Sequence, residues 1–237
     1  MRVFAIGDLH LSHSGEKPMD VFGPHWEGHR ERIRRSWSES VSSEDLVLVP
    51  GDISWAMRLE EALPDLDWLG RLPGRKVILR GNHDYWWPTS ARLRKALPPG
   101  MLALANDAID AGPVIVAGTR GWRLPGTEGS DDAEDGRILA RELIRLRLSL
   151  DAASGLRGAD PGKPLVVMMH FPPVVDGRES PFTREITASG ASICVYGHLH
   201  AAPGRWPDGV DADLGGVRYR LASADRLDFV PLLLEEI

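Results

Sequence analysis

The chain has 237 residues, a formal net charge of −6 and a single cysteine. That length can bury a sizeable core and fits one α/β domain, expected to span residues 1–237. The acidic balance offers no general attraction for nucleic acid, whose binding rests on concentrated basic surface, and one cysteine excludes an internal disulfide.

An apolar run begins at Arg2 with no charged leader, long apolar core or cleavage site, so neither a secretory signal nor a membrane span is read and a cytoplasmic location is expected. Arg2 to Ile6 is the first predicted strand. Trp26, Ile33, Trp37 and Val41 then recur at helical intervals and predict an amphipathic helix before a second strand, Leu46 to Val49. Leu59, Ala62, Leu63, Leu66 and Leu69 predict another helix, which Pro64 should bend or restart, ahead of a third strand at Lys76 to Leu79. Strand and helix alternate, which favours a mainly parallel sheet covered by helices.

The middle of the chain reads differently. Met101 to Leu104, Ala108 to Ile109 and Val114 to Ala117 are short strand candidates split by Asn106-Asp107 and Gly112-Pro113 turns, predicting a small antiparallel or mixed excursion. An acidic, glycine-containing stretch from Gly126 to Gly136 precedes a helix with Leu139, Leu143, Leu146 and Leu150 on one face. Arg137, Arg141 and Arg145 lie four apart on another face and read as a solvated row in so acidic a chain. Leu165 to Met169 and Ile193 to Tyr196 are further buried strands, the second carrying Cys194 as an inert thiol. Gly216 to Leu221 and Leu227 to Leu234 read as hairpin strands closing a second sheet.

Each of the five buried strands is followed directly by a polar cluster: Asp8-Leu9-His10, Gly51-Asp52, Gly81-Asn82-His83-Asp84, His170, and Gly197-His198-Leu199-His200. Ligands of open α/β sheets bind outside the carboxyl ends of strands, so sequence-distant clusters should meet at one edge. Asp8, His10, Asp52, Asn82, His170, His198 and His200 supply oxygen and nitrogen without thiolate, a set suited to Mn, Fe, Zn, Ni or Co rather than an all-oxygen Mg or Ca cage. A carboxylate has two oxygens, so Asp52 can bridge two ions, and glycines beside Asp52, Asn82 and His198 should let the backbone turn sharply. Two metals about 3.5–4 Å apart polarise a phosphoryl oxygen and generate hydroxide at neutral pH, the requirement of phosphoester hydrolysis.

The ordered pattern Asp-x-His, Gly-Asp, Gly-Asn-His-Asp, His and Gly-His-x-His resembles the calcineurin-like metallophosphoesterase superfamily and meets its motifs in full. Gly51 to Met57, Gly81 to Trp87 and Gly118 to Trp122 look more narrowly like a bacterial group of predicted phosphohydrolases. The resemblance implies a four-layer fold, two mixed β-sheets packed as a sandwich flanked by helices. It assigns Asp8, His10, Asp52 and His200 to one metal and Asp52, Asn82, His170 and His198 to the other. It keeps His83 off the metals, stabilising the phosphoryl group or protonating the leaving oxygen, with Asp84 orienting its ring. Protein Ser/Thr phosphatases of the superfamily carry Asp-Arg-Gly and a Glu where this chain has Ile53-Ser54-Trp55 and Asp84, so the Asn-His-Asp form looks more like the phosphodiesterase branch.

The leading expectation is therefore a dinuclear hydrolase of small phosphomono- or diesters, in which a bridging hydroxide attacks phosphorus in line, with Mn the best metal in vitro. A nuclease is the alternative and needs a basic track that the charge does not advertise. A non-catalytic scaffold of the same fold should have lost the catalytic histidine, and His83 is present. The expected partner is a small phosphoester, with no membrane and no support for nucleic acid; the oligomeric state stays open. Arg120 and, less so, Arg123 have loop positions suited to gripping phosphate. Trp55, Trp86, Trp87 and Trp122 are candidates for an apolar wall, and His13, His25 and His29 for surface or capping roles.

Overall fold

A computed structural model describes residues 1–15, 17–127, 132–158, 160–201 and 204–236. The first half runs β1 (Arg2–Ala5), α1 (His29–Ser40), β2 (Leu46–Val49), α2 (Leu59–Arg71), β3 (Arg75–Ile78), α3 (Ser90–Ala96) and β4 (Met101–Ala103). The second half runs β5 (Ala108–Asp110), β6 (Ile115–Thr119), α4 (Asp132–Arg157), β7 (Leu165–Met169), α5 (Pro181–Ala188), β8 (Ile193–Tyr196), β9 (Ala212–Leu214), β10 (Val217–Leu221) and β11 (Leu232–Glu236). Among the described residues these strands form two mixed sheets, ordered β11-β1-β2-β3-β4 and β5-β6-β7-β8-β10-β9.

Alternation along each strand builds the layers, because successive side chains point to opposite faces. Val3, Ala5, Leu46, Leu48 and Val77 meet Val116, Val166, Met168, Ile193 and Val195 between the sheets. Phe4, Val47, Val49 and Ile78 point outward and are covered by Ile33 and Trp37 of α1 and by Leu66 and Leu69 of α2. On the far side Leu165, Val167, Met169 and Tyr196 lie under Leu146 and Leu150 of α4 and Phe182 and Ile186 of α5. The result is helices, sheet, sheet, helices: the four-layer sandwich expected of the sequence.

Local chemistry fixes the helix boundaries. Glu61 accepts hydrogen bonds from the Met57 and Arg58 amides (3.1 and 3.2 Å), closing the first turn of α2. This helix runs unbroken through Pro64, so the expected restart does not occur. Ser180 caps α5 by accepting from the Phe182 and Thr183 amides (3.1 and 3.2 Å), with Pro181 at the first helical position. Arg137 and Arg141 are exposed on α4, as a solvated row should be, whereas Arg145 turns to the buried Glu142 at 2.5 Å. Residues 128–131 of the acidic stretch expected from Gly126 to Gly136 lie outside the described residues.

Two sequence expectations need correction. The antiparallel pairing expected in the middle holds for β5 and β6, but they open the second sheet rather than standing apart, and β4 is instead the parallel edge of the first sheet. The last two expected strands are not a hairpin. β10 lies parallel to β8 in the second sheet, whereas β11 returns to the first sheet antiparallel to β1, and the true hairpin partner of β10 is β9. Among the described residues no helix is long and apolar enough to cross a membrane.

Candidate metal centre

The carboxyl ends of β1, β2, β3, β7 and β8 deliver all seven expected ligands to one edge of the sandwich. His10 Nε2 lies 3.2 Å from His200 Nε2 and 3.8 Å from Asp52 Oδ2. The same Asp52 oxygen lies 3.6 Å from His170 Nε2. Asn82 Oδ1 sits between His170 Nε2 (2.6 Å) and His198 Nδ1 (2.8 Å), and Asp8 Oδ1 is 3.8 Å from His200 Nε2. Asp52 therefore stands between the two groups of ligands that the resemblance separates. Asp8, His10 and His200 present donor atoms mutually within 4.8 Å, as do Asp8, Asp52 and His170.

The backbone reaches this geometry by an unexpected route. Asp8, His10, Asp52 and His198 themselves adopt positive φ, at 53°, 44°, 51° and 75°. Non-glycine residues pay a conformational cost there, and such strain gathers at functional sites. Gly51 turns with φ of 100°, but Gly81 and Gly197 supply space rather than a turn. A Cβ on Gly81 would fall 2.0 Å from Asp52 Oδ1, and one on Gly197 would fall 2.3 Å from Asp8 Oδ2. The carboxylates are then tied to main chain: Asp52 Oδ1 accepts from the His83 amide (2.8 Å) and Asp8 from the His198 amide (3.0 Å).

Charge and burial together call for a cation. Burial drives the Asp8 carboxyl up to about 8 and raises that of Asp52. Burial also lowers His170 to about 3, His198 to about 2 and His10 well below the ordinary imidazole range. His200 moves the other way: burial opposes its charge, but Asp225 and Asp8 hold it up to about 9. Neutral rings facing one another, an amide oxygen between two ring nitrogens and two buried carboxylates fit divalent metals, which satisfy all of these lone pairs at once. The only cysteine, Cys194, is buried in β8 with its thiol pushed up by burial, so the donor set is nitrogen and oxygen.

His83 is half-buried beside this cluster, its ring centroid 4.5 Å from Trp55 and 5.8 Å from His10. Asp84 does not orient that ring. Its Oδ1 accepts from the Ile53 and Ser54 amides (2.9 and 3.2 Å) and the Trp86 indole (2.9 Å), and its Oδ2 from the Gly81 amide (2.7 Å). Asp84 thus clamps the β2 loop to the β3 loop, and positions His83 only through the backbone. Arg120 also differs from expectation: its guanidinium stacks on Trp122 at 4.8 Å and lies 3.8 Å from Glu142, while its carbonyl accepts from the His170 and Phe171 amides (3.1 and 2.9 Å). Arg123, ranked below it, lines the cavity that opens on His198.

Of the tryptophans, Trp55 stacks on His10 at 4.9 Å, Trp86 is buried against Asp84, Trp87 packs on the core, and Trp122 meets Phe171 at 5.0 Å and donates to Asp135 at 2.7 Å. His25 borders the cavity beside His10, His29 packs edge-on against Trp26, and the His13 amide donates to Asp65 at 3.4 Å. Sequence reasoning missed three contributors. Asp225 accepts from His200 Nδ1 at 3.1 Å, the Pro50 carbonyl meets His170 Nδ1 at 2.9 Å, and Trp26 stands edge-on to His10 and His200. Such outer partners fix ring orientation and tautomer. Asp225 had a signal: like the other candidate residues it lies just beyond a predicted strand, Gly216 to Leu221, and the chain there is stitched to Gly7, beyond β1, by Gly7 N to Ala222 O (2.7 Å) and Ala224 N to Gly7 O (3.0 Å).

Comparison with known proteins agrees with this architecture. The Gene 66 protein of Mycobacterium phage D29 is 34% identical over 119 residues, and the match covers 41% of this chain and 58% of the phage protein, so the chain spans under two thirds of that relative's length. The crystal structure of a protein of unknown function from Aquifex aeolicus superposes with a TM-score of 0.51 at 16% identity, covering 98% of this chain and 95% of its own. Phosphopantetheinyl hydrolase from Mycobacterium tuberculosis gives 0.51 at 20% identity, covering 100% and 96%. These two structures share the fold. The calcineurin-like phosphoesterase family matches residues 1–202, and the chain belongs to that family.

Proposed function

We propose that this chain is a dinuclear, transition-metal-dependent hydrolase of small phosphoesters. The observation that carries the reading is the placement of Asp52 Oδ2, 3.8 Å from His10 Nε2 on one side and 3.6 Å from His170 Nε2 on the other. Asp8, His10, Asp52 and His200 would hold one ion, and Asp52, Asn82, His170 and His198 the second. Bound there, the pair supplies Lewis acidity toward a phosphoryl oxygen and a lowered pKa for water. The chain itself does the rest. Asp52 holds the His83 backbone through its second oxygen, fixing the imidazole at the rim, where it protonates the departing ester oxygen. Trp26 and Trp55 pack against His10 on the same side and hold its ring in place. Mn is the expected best metal in vitro, since nitrogen-rich sites disfavour the harder Mg. The expected partner is a small phosphoester, in a cytoplasmic setting, with no membrane or nucleic acid.

Elemental analysis of protein purified without chelator, with hydrolysis of p-nitrophenyl phosphate and its bis-ester after Mn loading, tests this reading. Two metals per chain are expected, with loss of both occupancy and rate in Asp52→Asn. One metal or none after loading, or a fully occupied and active variant, would overturn it.

A further inference from the structure

Two cavities open beside the metal centre, one against each group of ligands. The first, about 260 Å³, is walled by Met19, Phe22, Trp26 and Trp55 and reaches His10, His83 and His200. The second, about 360 Å³, is walled by Phe171, Val174, Val175, Leu199 and Val210 and reaches His198. Both are largely apolar, as pockets for organic groups are. Among the described residues the first has no lysine or arginine in its lining, and in the second Arg123 is accompanied by two carboxylates, Asp176 and Asp208.

The phosphoryl group would sit on the ligands that both cavities border, so the cavities themselves suit the organic arms of an ester rather than its charge. A monoester has one organic arm, and would leave one apolar cavity filled with water. A diester has a single negative charge and two arms. The aromatic lining of the first cavity adds a preference for an aromatic group. The Trp55 ring is tilted 54° to that of His83 at 4.5 Å, and Trp26 stands edge-on to His200 at 5.7 Å. Phe22 is 63% exposed at the mouth, apolar surface that an aromatic guest would cover.

Resting on the hydrolase reading above, we propose that the substrate is a phosphodiester with an apolar group on each ester oxygen. The leaving group is aromatic and lies between Phe22, Trp26 and Trp55 beside His83; the retained group lies against Phe171, Val175 and Leu199 beside His198. Water's oxygen forms the new bond to phosphorus while the bond from phosphorus to the leaving oxygen breaks, its electron pair staying on that oxygen. His83 gives the leaving oxygen a proton and regains one from water, and water's second proton departs as the monoester product ionises.

Two measurements on the Mn-loaded protein test the proposal. Calorimetric titration uses diphenylphosphinate, dimethylphosphinate and phenylphosphonate, whose carbon–phosphorus bonds cannot be hydrolysed. Diphenylphosphinate should bind at least about tenfold more tightly than either of the others, and Phe22→Ala and Val175→Ala should each reduce that margin several-fold. Initial rates use p-nitrophenyl phosphate and its methyl and phenyl esters, which share one leaving group. The phenyl diester should have the highest kcat/KM, by at least about tenfold over the monoester. Hydrolysis fastest on the monoester, or equal binding of dimethyl- and diphenylphosphinate, would overturn the diester proposal and leave the hydrolase reading standing. No hydrolysis of any ester while diphenylphosphinate binds would overturn the hydrolase reading, and the substrate proposal with it.

Discussion

The space between the two sheets and the rim at their carboxyl ends are made by the same strands under opposite rules. Between the sheets Val3, Leu46, Leu48, Val116, Val166 and Val195 interlock with no titratable group among them. A few residues further along those strands, Asp8, Asp52 and His170 are just as buried, but with shifted protonation and, for both aspartates, left-handed backbone. One region contributes stability and the other consumes it. Function can therefore be lost at the rim without loss of the fold, and the fold weakened between the sheets without altered chemistry.

The sharpest separation is expected from His83→Ala. Removing a general acid costs about 100- to 10,000-fold, and most where the leaving group departs poorly without a proton. Hydrolysis of an alkyl phosphoester should fall by that order, that of a p-nitrophenyl ester far less, with metal content and melting temperature unchanged. Equal losses on both esters would point to phosphoryl stabilisation, and loss of a metal would make His83 a ligand. Leu48→Ala is the converse experiment. Denaturant unfolding should show a loss of about 2–5 kcal/mol for a truncated core leucine, while kcat of the folded fraction stays at the wild-type value. A fall in kcat to match would mean that the interior and the rim are not separable.

How much of this was readable in advance differs between the same two regions. Apolar runs mark the strands, and lying directly after them marks the seven candidate ligands, because a buried parallel strand has only its end in which to place a polar group. Partnerships across loops were not legible. Adjacency in sequence pairs Asp84 with His83, yet its carboxylate is spent on the amides of Gly81, Ile53 and Ser54, a contact that exists only once two loops are side by side. Gly81 and Gly197 read as turn formers in the sequence and instead leave room for the carboxylates that follow β2 and β1, which sequence spacing cannot reveal. β11 carries an apolar run that either sheet could accept, and only the long return after β10 places it beside β1.

Asp225 allows a finer test of the rim. Asp225→Asn keeps the size of the side chain but removes the charge behind His200, and partners of this kind are typically worth about 10- to 100-fold in metal affinity. Competition with a graded chelator should show a loss of that order, and unchanged affinity would reduce Asp225 to packing. The smallest expected effect is on pH dependence. In the metal-free protein Asp8 and His200 hold protons up to about 8 and about 9, while their unfolded counterparts release them near the ordinary 3.8 and 6.5. Folded pKa values raised in this way give stability that is complete below the unfolded pKa and lost as pH rises through the folded one. From about pH 7.5 to 9, above the range in which the lowered His10, His170 and His198 contribute the opposite trend, the metal-free melting temperature should therefore fall by a few degrees, at about 2–4 °C per kcal/mol, and metal loading should flatten the trend. A metal-free melting temperature that rose across this window would contradict the assigned protonation.

The left-handed backbone at Asp8, His10, Asp52 and His198 has a consequence for how such a chain changes over generations. Glycine occupies that conformation at no steric cost, whereas histidine and aspartate do not. Selection for heat resistance alone would therefore favour glycine at these four positions, at the expense of the candidate ligands and not of the strands.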